Sequence, residues 1–243
     1  MLRQFDVIVV SKDFNSEKKV EPPFTDPSLA WFFVSDINEG LAQSEAEWIV
    51  VAWDGLNVNR EFLNNLAECN GSFPMVDALA PRVKKLSGKF EGGSILGKKG
   101  GFSRIPENEK LRYVAIPHPA IAAFSRRIAQ RTGKIDTSLP AEFQLADYTL
   151  RMLHAGGRLF SIPYLVIDET KPIEFCSSIK DYNEGCIKAL YKGLGFGEAL
   201  KFALHHPTSF GTLFKNRKKL NAQRESSITL SKMKPGMLRD IRE

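Results

Sequence analysis

The chain has 243 residues, 43% hydrophobic and 26% charged, a composition typical of a globular protein. No stretch approaches 18 uninterrupted apolar residues, so we expect no transmembrane helix. The three cysteines, Cys69, Cys176 and Cys186, are too few and too scattered for a disulfide framework or a zinc site, and they favour a cytoplasmic location.

The net charge of +6 is concentrated in the last quarter of the chain. Residues 180–243 hold 13 Lys or Arg and 6 Asp or Glu, and they mix these charges with Leu, Phe and Tyr. A basic helix with aromatic residues can lie on an anionic membrane surface. The alternative is a helix packed on the rest of the protein. No nucleic-acid-binding motif is present, so nucleic acid is not an expected partner.

The first part of the chain alternates apolar runs with helix-like segments. Strands are predicted at residues 5–11, 29–35, 48–53 and 74–85, and helices at 39–47 and 60–70. Asp36 or Asn38 is the predicted cap of the first helix. A polar segment with three prolines, residues 12–28, is predicted as a loop after the first strand.

The alternation continues after a Gly-rich segment. Residues 87–110 contain six glycines and are predicted as a mobile loop, either a lid over a ligand or a surface insertion. A strand region at 111–125, helices at 126–133 and 141–157 and a strand at 158–169 follow. The pattern predicts an α/β domain at residues 1–175, with a mixed, mostly parallel central sheet and helices on both faces. Residues 176–243 are predicted as a helical, basic C-terminal extension.

One carboxylate stands out in this arrangement. Asp54 ends the apolar run WIVVAW, and Gly55 follows it. Ligands of such sheets bind at the carboxyl ends of the strands, so Asp54 is a candidate contact for a ligand or metal. The alternative is that Asp54 and Gly55 only form a turn.

The order of these segments resembles the inverting glycosyltransferases of the large family two, which have the GT-A fold. In that family a strand ends in an acidic metal-binding motif, a later strand ends in Gly-Pro-Arg/Lys, and an Ile-Arg-Arg segment leads through Gly-x-Phe-Asp into an acidic helix. The resemblance covers roughly residues 6–168. The matching residues are Asp54, Pro81, Arg82, Ala120, Ser125, Arg126, Gly133, Asp136, Asp147, Leu150, Arg151 and Gly156.

The resemblance implies transfer of a sugar from a nucleotide-sugar donor to a glycan or lipid-linked acceptor. It implies a divalent cation, Mn²⁺ or Mg²⁺, at Asp54, on a cytoplasmic protein that is either free or peripheral at the membrane. The implied donor contacts are Ser11, Asp13, Asp36, Asp54 and Arg82. For Asp13 and Asp36, a turn and a helix cap are the open alternatives.

The sequence departs from the family at the acidic helix. Gln144 and Leu145 occupy the positions of the family's acidic pair, whose second member is the general base. Glu142 and Asp147 flank these positions and are the candidate catalytic carboxylates, although about 500° of helical rotation separates them. For Asp147 the alternative is an ion pair with Arg151, four residues on. A catalytically degenerate GT-A-like binding or scaffold domain is therefore the rival interpretation.

Overall fold

The structure is a computed structural model that describes residues 3–12, 14, 21–105, 111–175, 178–228 and 235–242. Asp13 lies outside the described residues. The strands are β1 (Phe5–Val10), β2 (Leu29–Val34), β3 (Trp48–Trp53), β4 (Ala78–Lys84), β5 (Phe90–Glu91), β6 (Ser94–Leu96), β7 (Phe102–Arg104), β8 (Arg112–Val114), β9 (Ile121–Ser125) and β10 (Leu159–Asp168).

The helices lie between and after these strands. They are α1 (Ile37–Gln43), α2 (Arg60–Ser72), α3 (Arg126–Thr132), α4 (Ala141–His154), α5 (Ile179–Leu194), α6 (Phe196–His205), α7 (Phe210–Lys215), α8 (Arg217–Ile228) and α9 (Pro235–Asp240), and Pro207–Ser209 form a 3₁₀ turn. Within the described ranges, none of them is both long and apolar enough to cross a bilayer.

The central sheet has the strand order β2-β1-β3-β9-β4-β10-β8, and β5 pairs with β4. β2, β1, β3, β4 and β10 run in one direction, whereas β9 and β8 run antiparallel to their neighbours. All six residues of β3 are buried, as expected for an apolar run covered on both faces. The predicted mixed, mostly parallel α/β sheet is confirmed.

Two predicted signals set helix boundaries, Asp36 at the start of α1 and Gly133 at the end of α3. Asp36 caps α1, and its carboxylate accepts a hydrogen bond from the backbone N–H of Asn38. Ser125 caps α3, which ends at Gly133 with a φ of 79°.

The helices of the predicted extension share a hydrophobic core with the sheet domain. Buried side chains of α5 and α6, including Ile187, Leu190 and Phe202, cluster with Phe143 and Leu150 of α4. Gly193 lets α5 approach α4 closely, since a Cβ at this position would lie only 2.4 Å from Cβ of Leu150. Of the two alternatives for the basic C-terminal region, a helix packed on the rest of the protein therefore describes α5 and α6.

The prediction of a mobile Gly-rich loop is wrong for residues 90–104. Here β6 and β7 form an antiparallel hairpin that packs on α6. Gly100 and Gly101 both have positive φ, and Cβ atoms there would lie 2.6 and 2.7 Å from atoms of Phe202. The backbone N–H of Leu96 donates to the carbonyl of Ile241, so residues beyond α8 also hold this hairpin.

Candidate functional site

The carboxyl ends of the five co-directional strands lie at one edge of the sheet, together with the start of β9. Trp53 at the end of β3 donates its backbone N–H to the carbonyl of Ala120, and Asp54 donates its N–H to the carbonyl of Val10. The residues that directly follow β1, β3 and β10 are Ser11, Asp54 and Glu169. The first two meet at this edge.

Asp54 is bound by two side chains from other parts of the sheet. Its Oδ2 accepts a hydrogen bond from Oγ of Ser11 at 3.1 Å and one from Nζ of Lys171 at 2.6 Å. The side chain of Asp54 is 42% exposed and that of Lys171 is 57% exposed. The carboxylate at the end of β3 therefore forms a partly exposed ion pair with Lys171.

The chain after β10 crosses this edge, and we name residues 169–175 the post-β10 segment. Thr170 donates its backbone N–H to the carbonyl of Gly55 at 2.7 Å. Gly55 has a φ of 112°, and a Cβ there would lie 2.9 Å from Cγ1 of Ile173. Gly55 therefore does more than form a turn, because it lets this segment approach the end of β3.

A second cation lies at the same edge. Nζ of Lys12 lies 6.0 Å from the ring centroid of Trp53 and donates to the carbonyl of Glu174 at 3.4 Å. Trp53 also packs edge-on against Phe175, with ring centroids 5.6 Å apart. The post-β10 segment thus contacts Lys12, Trp53 and Asp54.

A polar cleft of about 190 Å³ is lined in part by the post-β10 segment. Ile173 and Phe175 form one wall, and the first turn of α4 forms another. The polar residues that line the cleft are Lys85, Glu91, Ser94, Arg104, His118, Glu142 and Tyr182. The cleft and the Asp54 edge therefore share one segment as their common wall.

Glu91 and His118 form a pair inside this cleft. Nδ1 of His118 accepts a hydrogen bond from the backbone N–H of Ala120, so in the neutral ring Nε2 carries the hydrogen and faces Oε2 of Glu91 at 3.5 Å. This contact, with the nearby charge of Arg104, lowers the pKa of Glu91 to about 2. Burial lowers the pKa of His118, against the influence of Glu91. At neutral pH, Glu91 is ionised and His118 is neutral.

Glu169 anchors the start of the post-β10 segment. It is buried and accepts hydrogen bonds from Lys85, from the backbone N–H of Leu86 at 3.1 Å and from that of Ile173 at 3.4 Å. Burial alone would raise the pKa of Glu169, but the hydrogen bonds from Lys85 and Leu86 outweigh it and the pKa is lowered. Glu169 therefore holds the wall of the cleft as an ionised, fully engaged carboxylate.

The two candidate catalytic carboxylates of α4 have different environments. Glu142 is half-buried in the first turn and lines the cleft. Asp147 is 0% exposed, and its oxygens lie 2.8 Å from Nε of Arg151 and 3.0 Å from Nζ of Lys192. A carboxylate without solvent access cannot take a proton from an acceptor hydroxyl, so the catalytic prediction for Asp147 is corrected: the residue joins α4 to α5.

The remaining predicted donor contacts are dispersed. Asp36 lies at the end of β2 and caps α1. The guanidinium of Arg82 lies 4.9 Å from the ring centroid of Phe90 and donates to the carbonyl of Pro163, so these contacts tie it to β5 and β10. Of the five predicted donor contacts, the described residues bring only Ser11 and Asp54 together.

Sequence reasoning missed Lys171, Glu91 and the role of His118. Glu91 and Lys171 belong to no sequence motif. Each is brought to the site by contacts between segments that are distant in sequence. Lys171 does follow the last strand of the sheet, and that position relative to the strand end was the one available signal.

No protein-family model and no curated protein matches the chain in sequence. Solved structures do match in fold. The mannosyltransferase PcManGT from Pyrobaculum calidifontis, in complex with GDP-Man and Mn²⁺, is 16% identical, with a TM-score of 0.51 over 99% of this chain and 85% of that chain. GalNAc-T7 with UDP, GalNAc and Mn²⁺ is 11% identical, with a TM-score of 0.57 over 93% of this chain.

The chain has a GT-A-like fold. It spans 55% of the GalNAc-T7 chain, so that comparison covers only part of the other protein. At these identities the likeness establishes the fold, and function rests on the residues of the site.

The two neighbours were solved with Mn²⁺, so the fit of such an ion to the present residues can be tested. A hard divalent cation prefers several oxygen ligands. Among the described residues, no group of three His, Cys, Asp or Glu side chains is arranged to hold a metal ion. Oδ2 of Asp54 already binds the ammonium of Lys171 and the hydroxyl of Ser11. The described residues therefore do not fit the metal site that the resemblance implied.

Proposed function

We propose that this chain transfers a sugar from a nucleoside diphosphate sugar to a hydroxyl group of a glycan or lipid-linked acceptor. The observation that supports this most is the meeting of Ser11, Asp54 and Lys171 at the end of β3, beside a cleft that contains the carboxylates Glu91 and Glu142. Ligands of α/β sheets bind at this edge.

The donor is proposed to bind along the strand ends. Ser11 would contact its sugar and diphosphate, Asp54 would hold Lys171 at this edge, and Asp36 would reach the nucleoside with the carboxylate oxygen that does not cap α1. Asp13 follows β1 closely in sequence and remains a predicted contact outside the described residues. Arg82 is left out of the proposed site because its guanidinium packs on Phe90.

The proposed reaction is one displacement at the anomeric carbon. The acceptor oxygen forms a bond to this carbon while the bond from the carbon to the diphosphate oxygen breaks, and the acceptor proton passes to a carboxylate. Glu142 is the proposed base. Glu91 is a poorer choice, because its pKa of about 2 makes it a weak base, and it would instead accept hydrogen bonds from sugar hydroxyls.

The test uses UDP- and GDP-sugars with the full-length protein, and product formation is followed by released nucleoside diphosphate. Glu142→Gln removes the basicity and keeps the shape, so turnover should fall about 100-fold or more while donor affinity changes little. Glu61→Gln is the matched control, because Glu61 also lies in the first turn of a helix but outside the cleft. Equal activity of the two variants would remove Glu142 from the reaction.

The rival function is a catalytically degenerate GT-A-like binding or scaffold domain. It is favoured by the single carboxylate at β3 and by Gln144 and Leu145 in place of the acidic pair. Nucleotide binding without product formation from any donor and acceptor pair would support it. Failure to bind any nucleoside diphosphate would contradict the transferase and favour a scaffold.

We also propose that α6–α8 contact an anionic membrane surface, where lipid-linked acceptors lie. Leu204 and Phe214 are 62% and 54% exposed, and exposed Lys215, Lys218 and Lys219 lie near Phe214 in sequence. Lys218→Gln with Lys219→Gln should reduce sedimentation with anionic vesicles, and added salt should weaken binding of the wild type. Equal binding to neutral vesicles would contradict an electrostatic contact.

A further inference from the structure

The ion pair of Asp54 and Lys171 lies where a donor diphosphate would have to be neutralised. A diphosphate that leaves from a sugar carries several negative charges, and a nearby cation stabilises it. Nζ of Lys171 lies 2.6 Å from Oδ2 of Asp54 at the end of β3, so this cation is already at the proposed donor site.

The backbone holds Lys171 at this edge independently of the ion pair. The N–H groups of Thr170 and Lys171 both donate to the carbonyl of Gly55, at 2.7 and 3.4 Å, and the hydroxyl of Thr170 donates to the same carbonyl. These bonds fix the backbone at Thr170 and Lys171 against the carbonyl of Gly55. The ammonium can therefore move from Asp54 to a phosphate oxygen without rearrangement of the post-β10 segment.

The exposure of the pair favours a ligand-binding role over a purely structural one. Both side chains are more than one-third exposed, and exposed ion pairs contribute little to stability. Lys12 contacts the same segment through the carbonyl of Glu174. A second ammonium group therefore lies against the segment that carries Lys171.

We propose that Lys171, assisted by Lys12, supplies the positive charge that binds the donor diphosphate, so that this chain binds nucleoside diphosphates without a divalent cation. This inference rests on the proposed function and identifies how its donor site works. Asp54 then acts as the positioning residue that holds Lys171 when the site contains no nucleotide.

The experiment measures the affinity of the full-length protein for UDP, GDP and the matching monophosphates by calorimetry, in EDTA and in Mn²⁺. The wild type should bind a diphosphate with affinities that agree within about threefold in the two buffers. Lys171→Gln should weaken diphosphate binding by about tenfold or more, because a charge-assisted hydrogen bond is lost. Monophosphate binding should change much less, and Lys171→Arg should retain most of the affinity.

Lys84→Gln is the matched control, since Lys84 forms an exposed pair with Asp168 at another strand end of the same sheet. It should leave nucleotide affinity unchanged, and thermal unfolding should confirm that each variant is folded. Asp54→Asn distinguishes binding of the diphosphate by Lys171 from binding by a metal on Asp54. If Lys171 binds the diphosphate, the variant releases this lysine and nucleotide affinity in EDTA should be maintained or improved. If a metal on Asp54 binds it, the variant should abolish binding.

Three results would overturn the inference. Binding that requires Mn²⁺ and is lost in Asp54→Asn or Asp13→Asn would establish a metal site and leave the proposed function intact. Equal loss in Lys171→Gln and Lys84→Gln would reduce the effect to overall charge. The absence of nucleotide binding in both buffers would contradict the proposed function itself.

Discussion

Replacement of Asp147 by Asn should destabilise the fold rather than remove a catalytic base. The carboxylate is fully buried between Arg151 and Lys192, whose side chains are 8% and 4% exposed. Asn keeps the shape but cannot neutralise either cation. The variant therefore leaves two buried positive charges next to a neutral amide.

The size of the effect follows from the remaining contacts. Removal of one partner of a buried ion pair costs about 3–5 kcal/mol. Lys192 keeps Asp136 at 2.6 Å, and Arg151 keeps hydrogen bonds to the carbonyls of Thr132 and Lys134. We therefore expect about 3 kcal/mol, which lowers Tm by about 6–12 °C at about 2–4 °C per kcal/mol for a chain of this size.

Denaturant unfolding followed by circular dichroism measures this difference. Asp168→Asn is the matched control, because Asp168 is 57% exposed and pairs with Lys84 at 3.9 Å, so a change below about 1 kcal/mol is expected. An Asp147→Asn protein that unfolds like the wild type but has lost sugar transfer would refute the reasoning and return Asp147 to the catalytic site.

Three further predictions concern pH and glycine positions. The pKa of Glu91 is about 2 in the folded state and about 4.3 in the unfolded state. The ionised carboxylate should therefore contribute its full stabilisation above about pH 5, and this contribution should disappear as the pH falls towards 2. Glu91→Gln should flatten that part of the curve of stability against pH. Gly55→Ala should lower stability by about 1–3 kcal/mol and weaken nucleotide binding in calorimetry, because φ is 112° and the new Cβ meets Ile173 at 2.9 Å. Gly193→Ala should lower Tm through overlap with Leu150, whereas Gly197→Ala, with nothing within 4 Å, should raise it.

The features that could be predicted from the sequence are those that depend on residues close together in the chain. The apolar run of β3 and the turn signals that end α3 act over a few residues, so strand and helix positions could be read from them. The ion pair of Asp147 with Arg151 was also an open alternative, because residues four apart share a helix face. Its burial was not predictable, since that depends on Lys192 of the distant helix α5.

The parts that sequence reasoning missed depend on contacts between distant segments. Lys171 reaches Asp54 only because β10 ends at the same sheet edge as β3. The Gly-rich hairpin is ordered because its glycines leave room for Phe202, which lies about a hundred residues further along the chain. Glycine count alone indicates conformational freedom and does not reveal a partner that removes it.

The hydrogen bond between Leu96 and Ile241 has a consequence for synthesis of the protein. The hairpin of β6 and β7 carries Phe102 and Arg104, which line the cleft, and its buried Leu96 clusters with side chains of α5, α6 and Ile241, which are made much later. At about 5–20 residues per second, a nascent chain waits for several seconds before residue 241 is available. During that interval Leu96 lacks its cover from α5, α6 and Ile241, and the hairpin wall of the cleft lacks its backbone hydrogen bond to residue 241.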